Sequence, residues 1–213
     1  MALTKFEYNS FDVTPVASNG FAFNSTPNGL TTASAGALTL LTTNTISSGV
    51  STSSFTSSID STYDTYLFKF INIHPAEAEH FTFQGSTNGG SSYGVTLTST
   101  YFHATHNEAG TSQALSYVTG KDLAQSTSYL RVSDSTSTDA DESTSGELYL
   151  FNPSSTTFIK HFMSRSSVAA TGGKDGFVAG YFNTTSAIDA IQFKMSSGNI
   201  DSGVIKMYGL SKS

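Results

Sequence analysis

The stretch Thr65-Tyr66-Leu67-Phe68-Lys69-Phe70-Ile71-Asn72-Ile73 decides the fold class. Tyr66, Phe68 and Phe70 fall on one face of an extended chain, with Leu67, Lys69 and Ile71 on the other, which is the period of a β-strand and not of a helix. An aromatic row of this kind buries against a second layer.

Working outward, the same texture recurs along the chain. The expected strands are Leu38–Ile46, Val50–Ile59, Thr65–Ile73, His80–Ser86, Gly94–Thr100, Tyr129–Ser133, Glu147–Phe151, Thr157–Ser164, Phe177–Phe182, Ala190–Met195 and Val204–Leu210. Strands at this spacing, broken by turn residues, predict a sandwich or barrel. Only Lys121–Gln125 and Pro75–His80 look capable of a helical turn, so an α/β fold is excluded. The expected fold is an all-β, jelly-roll-like antiparallel sandwich of about 10 to 11 strands over residues 37–213, preceded by an extended N-terminal arm over residues 1–36. The arm is rich in turn signals such as Ser18-Asn19-Gly20 and Pro27-Asn28-Gly29, with too little apolar periodicity to fold by itself.

Composition agrees. The 213 residues suit one large β-domain. Charged residues are only 12%, while 36 Ser and 30 Thr take almost a third of the chain. Thr favours strands and Ser favours turns. The 16 Phe and 10 Tyr supply core volume, and 4 Pro leave the strands unbroken.

The same figures exclude whole classes of function. The net charge is −6, and the ten Lys and Arg are scattered singly, whereas nucleic-acid binding uses clustered cations. With no cysteine, disulfides and thiolate metal sites are impossible. The opening Met1-Ala2-Leu3-Thr4-Lys5 has no signal-peptide pattern, and no apolar run reaches the roughly 18 residues of a membrane span.

Candidate chemistry is sparse. The acidic segment 134–146 offers Asp134, Asp139, Asp141 and Glu142 as oxygen donors, but its spacing matches no calcium loop, so it reads as an exposed connection between strands. His103 and His106, near Glu108, stand three apart where a strand runs into a loop, and point to opposite faces. His74, His80 and His161 are isolated. Asp60, Asp64 and Asp189 lie near strand ends, in no spacing that marks a catalytic carboxylate pair. No enzyme and no cofactor is expected. Thr87-Asn88-Gly89-Gly90 reads as a hairpin turn, and Ser197-Gly198-Asn199 with Asp201-Ser202-Gly203 as the last reversal before the final strand. On the row Phe158, Lys160, Phe162, a lysine among aromatics predicts an edge strand or a face that ends in solvent. Tyr93, Tyr101 and Tyr117, close to loops, are the candidate surface-binding residues, suited to stacking on a sugar ring.

The segment from Phe55 to Pro75, the run Phe83-Gln84-Gly85-Ser86-Thr87-Asn88-Gly89-Gly90, and the closing segment Tyr181 to Leu210 resemble virion proteins of marine tailed bacteriophages, members of which are described as tail-fibre or other structural proteins. The resemblance covers about half the body and brings no catalytic motif. It implies a non-enzymatic particle subunit, a tail fibre or a capsid-decorating fibre or knob, assembled in the host cytoplasm and released by lysis. The arm would dock onto other virion proteins, trimers would be the expected assembly, and a host surface glycan is a possible ligand. A carbohydrate-binding module is the alternative, and a hydrolase a third class that would need converging carboxylates.

Overall fold

In a computed structural model, residues 19–23, 30–34 and 37–210 are described, side chains from residue 37 onward. All of the regular structure among them is β. Asn19–Phe23 (β1) and Leu30–Ser34 (β2) pair as an antiparallel hairpin. The rest of the 1–36 arm lies outside the described residues, and its docking role with it.

Twelve further strands form two antiparallel sheets. Four make the smaller: Ser53–Phe55 (β4), Glu79–Ser86 (β6), Leu130–Thr136 (β9) and Ala190–Met195 (β13), in the order β4-β13-β6-β9. The larger contains Leu38–Ile46 (β3), Thr65–Pro75 (β5), Leu97–Asn107 (β7), Gln113–Tyr117 (β8), Thr144–Phe151 (β10), Lys160–Ala169 (β11), Gly172–Phe182 (β12) and Ile200–Leu210 (β14). Its order is β3-β14-β5-β10-β11-β12-β7-β8.

The pairing is nested. β3 pairs with β14, β4 with β13, β5 with β10, and β6 with β9. A chain folded back along itself as a double ribbon and rolled once gives this order, which is the jelly roll. Two hairpins are inserted into the roll. β7–β8 follows β6 and β11–β12 follows β10, and the pair β12–β7 joins them so that both extend the larger sheet on one side.

The core is an aromatic seam between the sheets. Phe68 packs on Phe193 and Phe55, and Phe81 stacks on Phe193 at 5.4 Å while meeting Phe70 at 5.2 Å. Phe83 meets Phe162 edge-on at 5.1 Å and Phe182 at 6.0 Å, so β6 covers the first part of the extension. As the period-two pattern requires, Tyr66, Phe68 and Phe70 are wholly buried while Ile71 is exposed.

Several expectations are corrected. The expected strand Val50–Ile59 is cut to Ser53–Phe55, with a lone bridge from Val50 to Ile200, and the chain beyond it turns away through Ser58 at a left-handed φ of 63°. Strand β7 begins later and runs longer than expected, carrying both His103 and His106. Neither Lys121–Gln125 nor Pro75–His80 is helical; Pro75 closes β5, and Glu79 and His80 open β6. Turn 87–90 joins no hairpin: it carries the chain from the smaller sheet to the larger, with Gly89 and Gly90 at φ 67° and 82°. Asp201-Ser202-Gly203 lies inside β14, where it makes a bulge against β5.

Lys160 is the largest correction. Strand β11 is central, not an edge, and Lys160 is wholly buried at its start. Its Nζ donates to Phe158 O at 2.9 Å and Thr184 O at 3.1 Å, while Phe158 itself is 69% exposed. The lysine points inward, where its ammonium meets both carbonyls.

Candidate functional site

The most organised exposed surface is the outer face of the larger sheet. The register lines up one residue from each of seven strands: Lys206, Lys69, Glu147, Arg165, Phe177, Phe102 and Tyr117, from β14 through β8. The members interact as neighbours in a ladder do. Lys69 lies 3.8 Å from Glu147, and Arg165 meets both carboxylate oxygens of Asp175, at 3.0 and 2.6 Å. The Arg165 guanidinium lies 5.0 Å over the Phe177 ring, and Phe177 stacks on Phe102 at 4.8 Å with planes 6° apart.

A second row runs beside it: Tyr208, Leu67, Tyr149, Met163, Ala179 and Thr100. Met163 is 55% exposed, and Tyr149 stacks on Phe151. Between the rows lies a shallow apolar groove lined by Phe102, Tyr149, Met163, Phe177 and Ala179. The result is an ordered apolar patch bordered by the ion pairs Lys69–Glu147 and Arg165–Asp175.

The three candidate tyrosines do not act together. Tyr117, 51% exposed, ends the first row and donates to Asp122 Oδ2 at 2.5 Å. Tyr93 is half-buried and its hydroxyl is enclosed without a hydrogen bond, beside Gly90. Tyr101 is wholly buried, because β7 continues past the expected loop and turns that ring inward.

The acidic segment also divides. Its true loop is 137–143, carrying Asp139, Asp141 and Glu142. Asp134 belongs to β9 and is buried, facing β7. Lys121 Nζ sits directly against its Oδ1, and His103 Nδ1 lies 2.6 Å from its Oδ2, with the Tyr101 hydroxyl 3.5 Å from that same oxygen. His103 and His106 do face opposite sides, since His106 is exposed. The pairing of His103 with Asp134 spans 31 positions, and no local spacing signals it.

Asp60 and Asp189 serve nearby backbone. Asp60 accepts from Thr62 N at 2.8 Å, which holds its carboxyl below the ordinary range, and Asp189 accepts from Gly89 N at 2.9 Å. The backbone carbonyl of Asp64 accepts from Asn152. Among the described residues, no three His, Asp or Glu side chains converge as a metal site, and no helix is long and apolar enough to cross a membrane.

No protein-family model matches the chain, and no curated protein matches it.

Proposed function

We propose that this chain is a non-enzymatic structural subunit of a bacteriophage particle, an appendage protein such as a tail fibre or a capsid-decorating fibre or knob. Supporting it are the jelly-roll order, an architecture common among capsid and lectin domains, and the resemblance noted in residues 55–75, 83–90 and 181–210. The observation that carries it is the outer face of the larger sheet, which is left exposed among the described residues. Its stacked Phe102 and Phe177, its exposed Met163, and the ion pairs Lys69–Glu147 and Arg165–Asp175 make a flat surface that a second copy of the chain can cover, with Lys206 left at its margin. A trimer assembled on this face, attached to the particle through residues 1–36, is the arrangement proposed.

The experiment is mass spectrometry of purified particles, with light scattering of the isolated protein. Peptides of this chain in the particle band and a trimeric mass in solution are expected. A chain absent from particles and monomeric at high concentration overturns the reading.

The second reading is a carbohydrate-binding module, favoured by the exposed ring of Tyr117 beside the Phe102 and Phe177 stack, a platform of the kind that sugar rings contact. A glycan array answers it: specific binding lost in Tyr117→Ala supports this reading, and silence removes it.

A further inference from the structure

Lys121 and Asp134 meet where the two sheets close on each other, and both are almost sealed from water, with side chains 10% and 8% exposed. Asp134 is fixed on β9 of the smaller sheet, where Ser133 Oγ donates to its carbonyl at 2.8 Å and accepts from Phe81 N at 3.0 Å. Lys121 is fixed along β7 of the larger sheet. Val118 N donates to Tyr101 O at 2.9 Å, Lys121 N to Val118 O at 3.0 Å, and Leu123 N to Ser99 Oγ at 3.1 Å, while Arg131 holds Gly120 O at 3.2 Å. The amine therefore reaches the carboxyl on a backbone pinned from both sides. Such fixed placement can replace an intermolecular encounter at effective concentrations of about 10⁵ M or more.

We propose that Lys121 and Asp134 condense into an intramolecular isopeptide bond that links the two sheets covalently. The neutral Lys121 amine attacks Cγ of Asp134, the new C–N bond forms, Nζ gives up a proton, and one carboxyl oxygen leaves as water. The ammonium–carboxylate pair becomes one uncharged amide plus one water, so protons and electrons balance without an oxidant or reductant. His103, at 2.6 Å from Oδ2, is the group placed to hand a proton to the departing oxygen, and the Tyr101 hydroxyl is 3.5 Å from the same atom.

Three features of the pocket favour the reaction. Burial, with Lys174 and Arg131 adding positive charge, pulls Lys121 down to about 8. The Tyr101 ring, 5.0 Å from Nζ, and the burial of Tyr101 itself keep out water that would compete or reverse the step. The product also removes two buried charges whose desolvation is costly. The inference is independent of whether the chain belongs to a phage particle.

The test is the intact mass of the purified full chain, followed by a tryptic map. The expected mass is one water below that calculated from the sequence, with or without Met1. The map should show peptide 70–131, uncut after Lys121, joined to peptide 132–160. Lys121→Met and Asp134→Ala should restore the full calculated mass, and Asp134→Asn should reach the same cross-linked product by losing ammonia. His103→Ala should slow its appearance. A wild-type chain at its full calculated mass overturns the proposal. So does a water loss that maps elsewhere, for example to a succinimide at Asp175-Gly176. Both readings are made on the wild-type protein, so a variant that fails to fold leaves the test intact.

Discussion

Lys160 and Thr184 are joined across the end of the β11–β12 hairpin, the lysine Nζ donating to the Thr184 carbonyl at 3.1 Å, with the Phe158 carbonyl sharing the same ammonium at 2.9 Å. Burial pushes the amine below the ordinary lysine range, yet it still donates to two carbonyls at that corner. Lys160→Met keeps the stem and removes the donor. It should cost about 2–3 kcal/mol, the scale of leaving buried acceptors unsatisfied. Urea unfolding of the two proteins measures it, and a difference under about 0.5 kcal/mol would show the ammonium to be dispensable.

Acidification should destabilise the protein in two windows. His80 is held below its ordinary 6.5 first by burial and then by Arg131, while its Nδ1 pairs with Ser133 O at 3.2 Å. Below 6.5 the unfolded chain takes up a proton that the folded one resists, so stability falls as pH drops through that region. Glu79, bonded by Ser196, and Asp60, bonded by Thr62, lie below their ordinary 4.5 and 3.8, so what they contribute is lost only at lower pH. Denaturant midpoints between pH 8 and pH 3 should trace both declines; His103, also held below 6.5 by burial, shares the first, so His80→Gln should shrink that one and leave the second unchanged.

Close backbone approach makes one glycine far more sensitive than its neighbour on the same strand. A Cβ at Gly180 would meet Thr98 O at 2.4 Å and the Phe162 ring at 2.7 Å, whereas one at Gly173 would meet nothing within 4 Å. Gly180→Ala should therefore cost about 2 kcal/mol or more through overpacking, and Gly173→Ala close to nothing. Thermal melts of the pair decide it; equal melting points would mean that β7 and β12 can separate freely.

On the outer face, charge should break association without harming the fold. Met163 projects between Tyr149 and Ala179 on the uncovered side, so Met163→Glu removes no core contact. It should leave the unfolding midpoint within about 0.5 kcal/mol of wild type and shift the light-scattering mass to that of a monomer. An unchanged mass would place the subunit contact elsewhere.

The β-class is legible wherever a strand has one wet face and one dry one. Tyr66, Phe68 and Phe70 announce burial by alternation, and the expected limits Leu38–Ile46 and Ala190–Met195 coincide with β3 and β13. Gln113–Tyr117 is missed because β8 has every side chain exposed and so no pattern to read. Lys160 misleads because alternation says which face a residue shares but not whether its strand is an edge. The candidate site is legible only in part. Tyr117 is placed correctly at the surface, but Asp134 hides in a run of Ser, Thr and Asp whose composition is that of a loop, and the ladder from Lys206 to Tyr117 depends on pairings between distant segments.

The nesting of β3 with β14 also orders events in time. Leu38 has Leu210 as its partner, so one strand waits on the ribosome for another made far later along the chain. Until then the aromatic seam lacks one wall, and β3 and β5 expose unpaired edges to any other chain nearby. Closing the sandwich is therefore a late and slow step, because the ladders β3–β14, β4–β13, β5–β10 and β6–β9 each close a long loop. Newly made copies meet one another while still open, which ties the yield of native protein to how crowded its synthesis is.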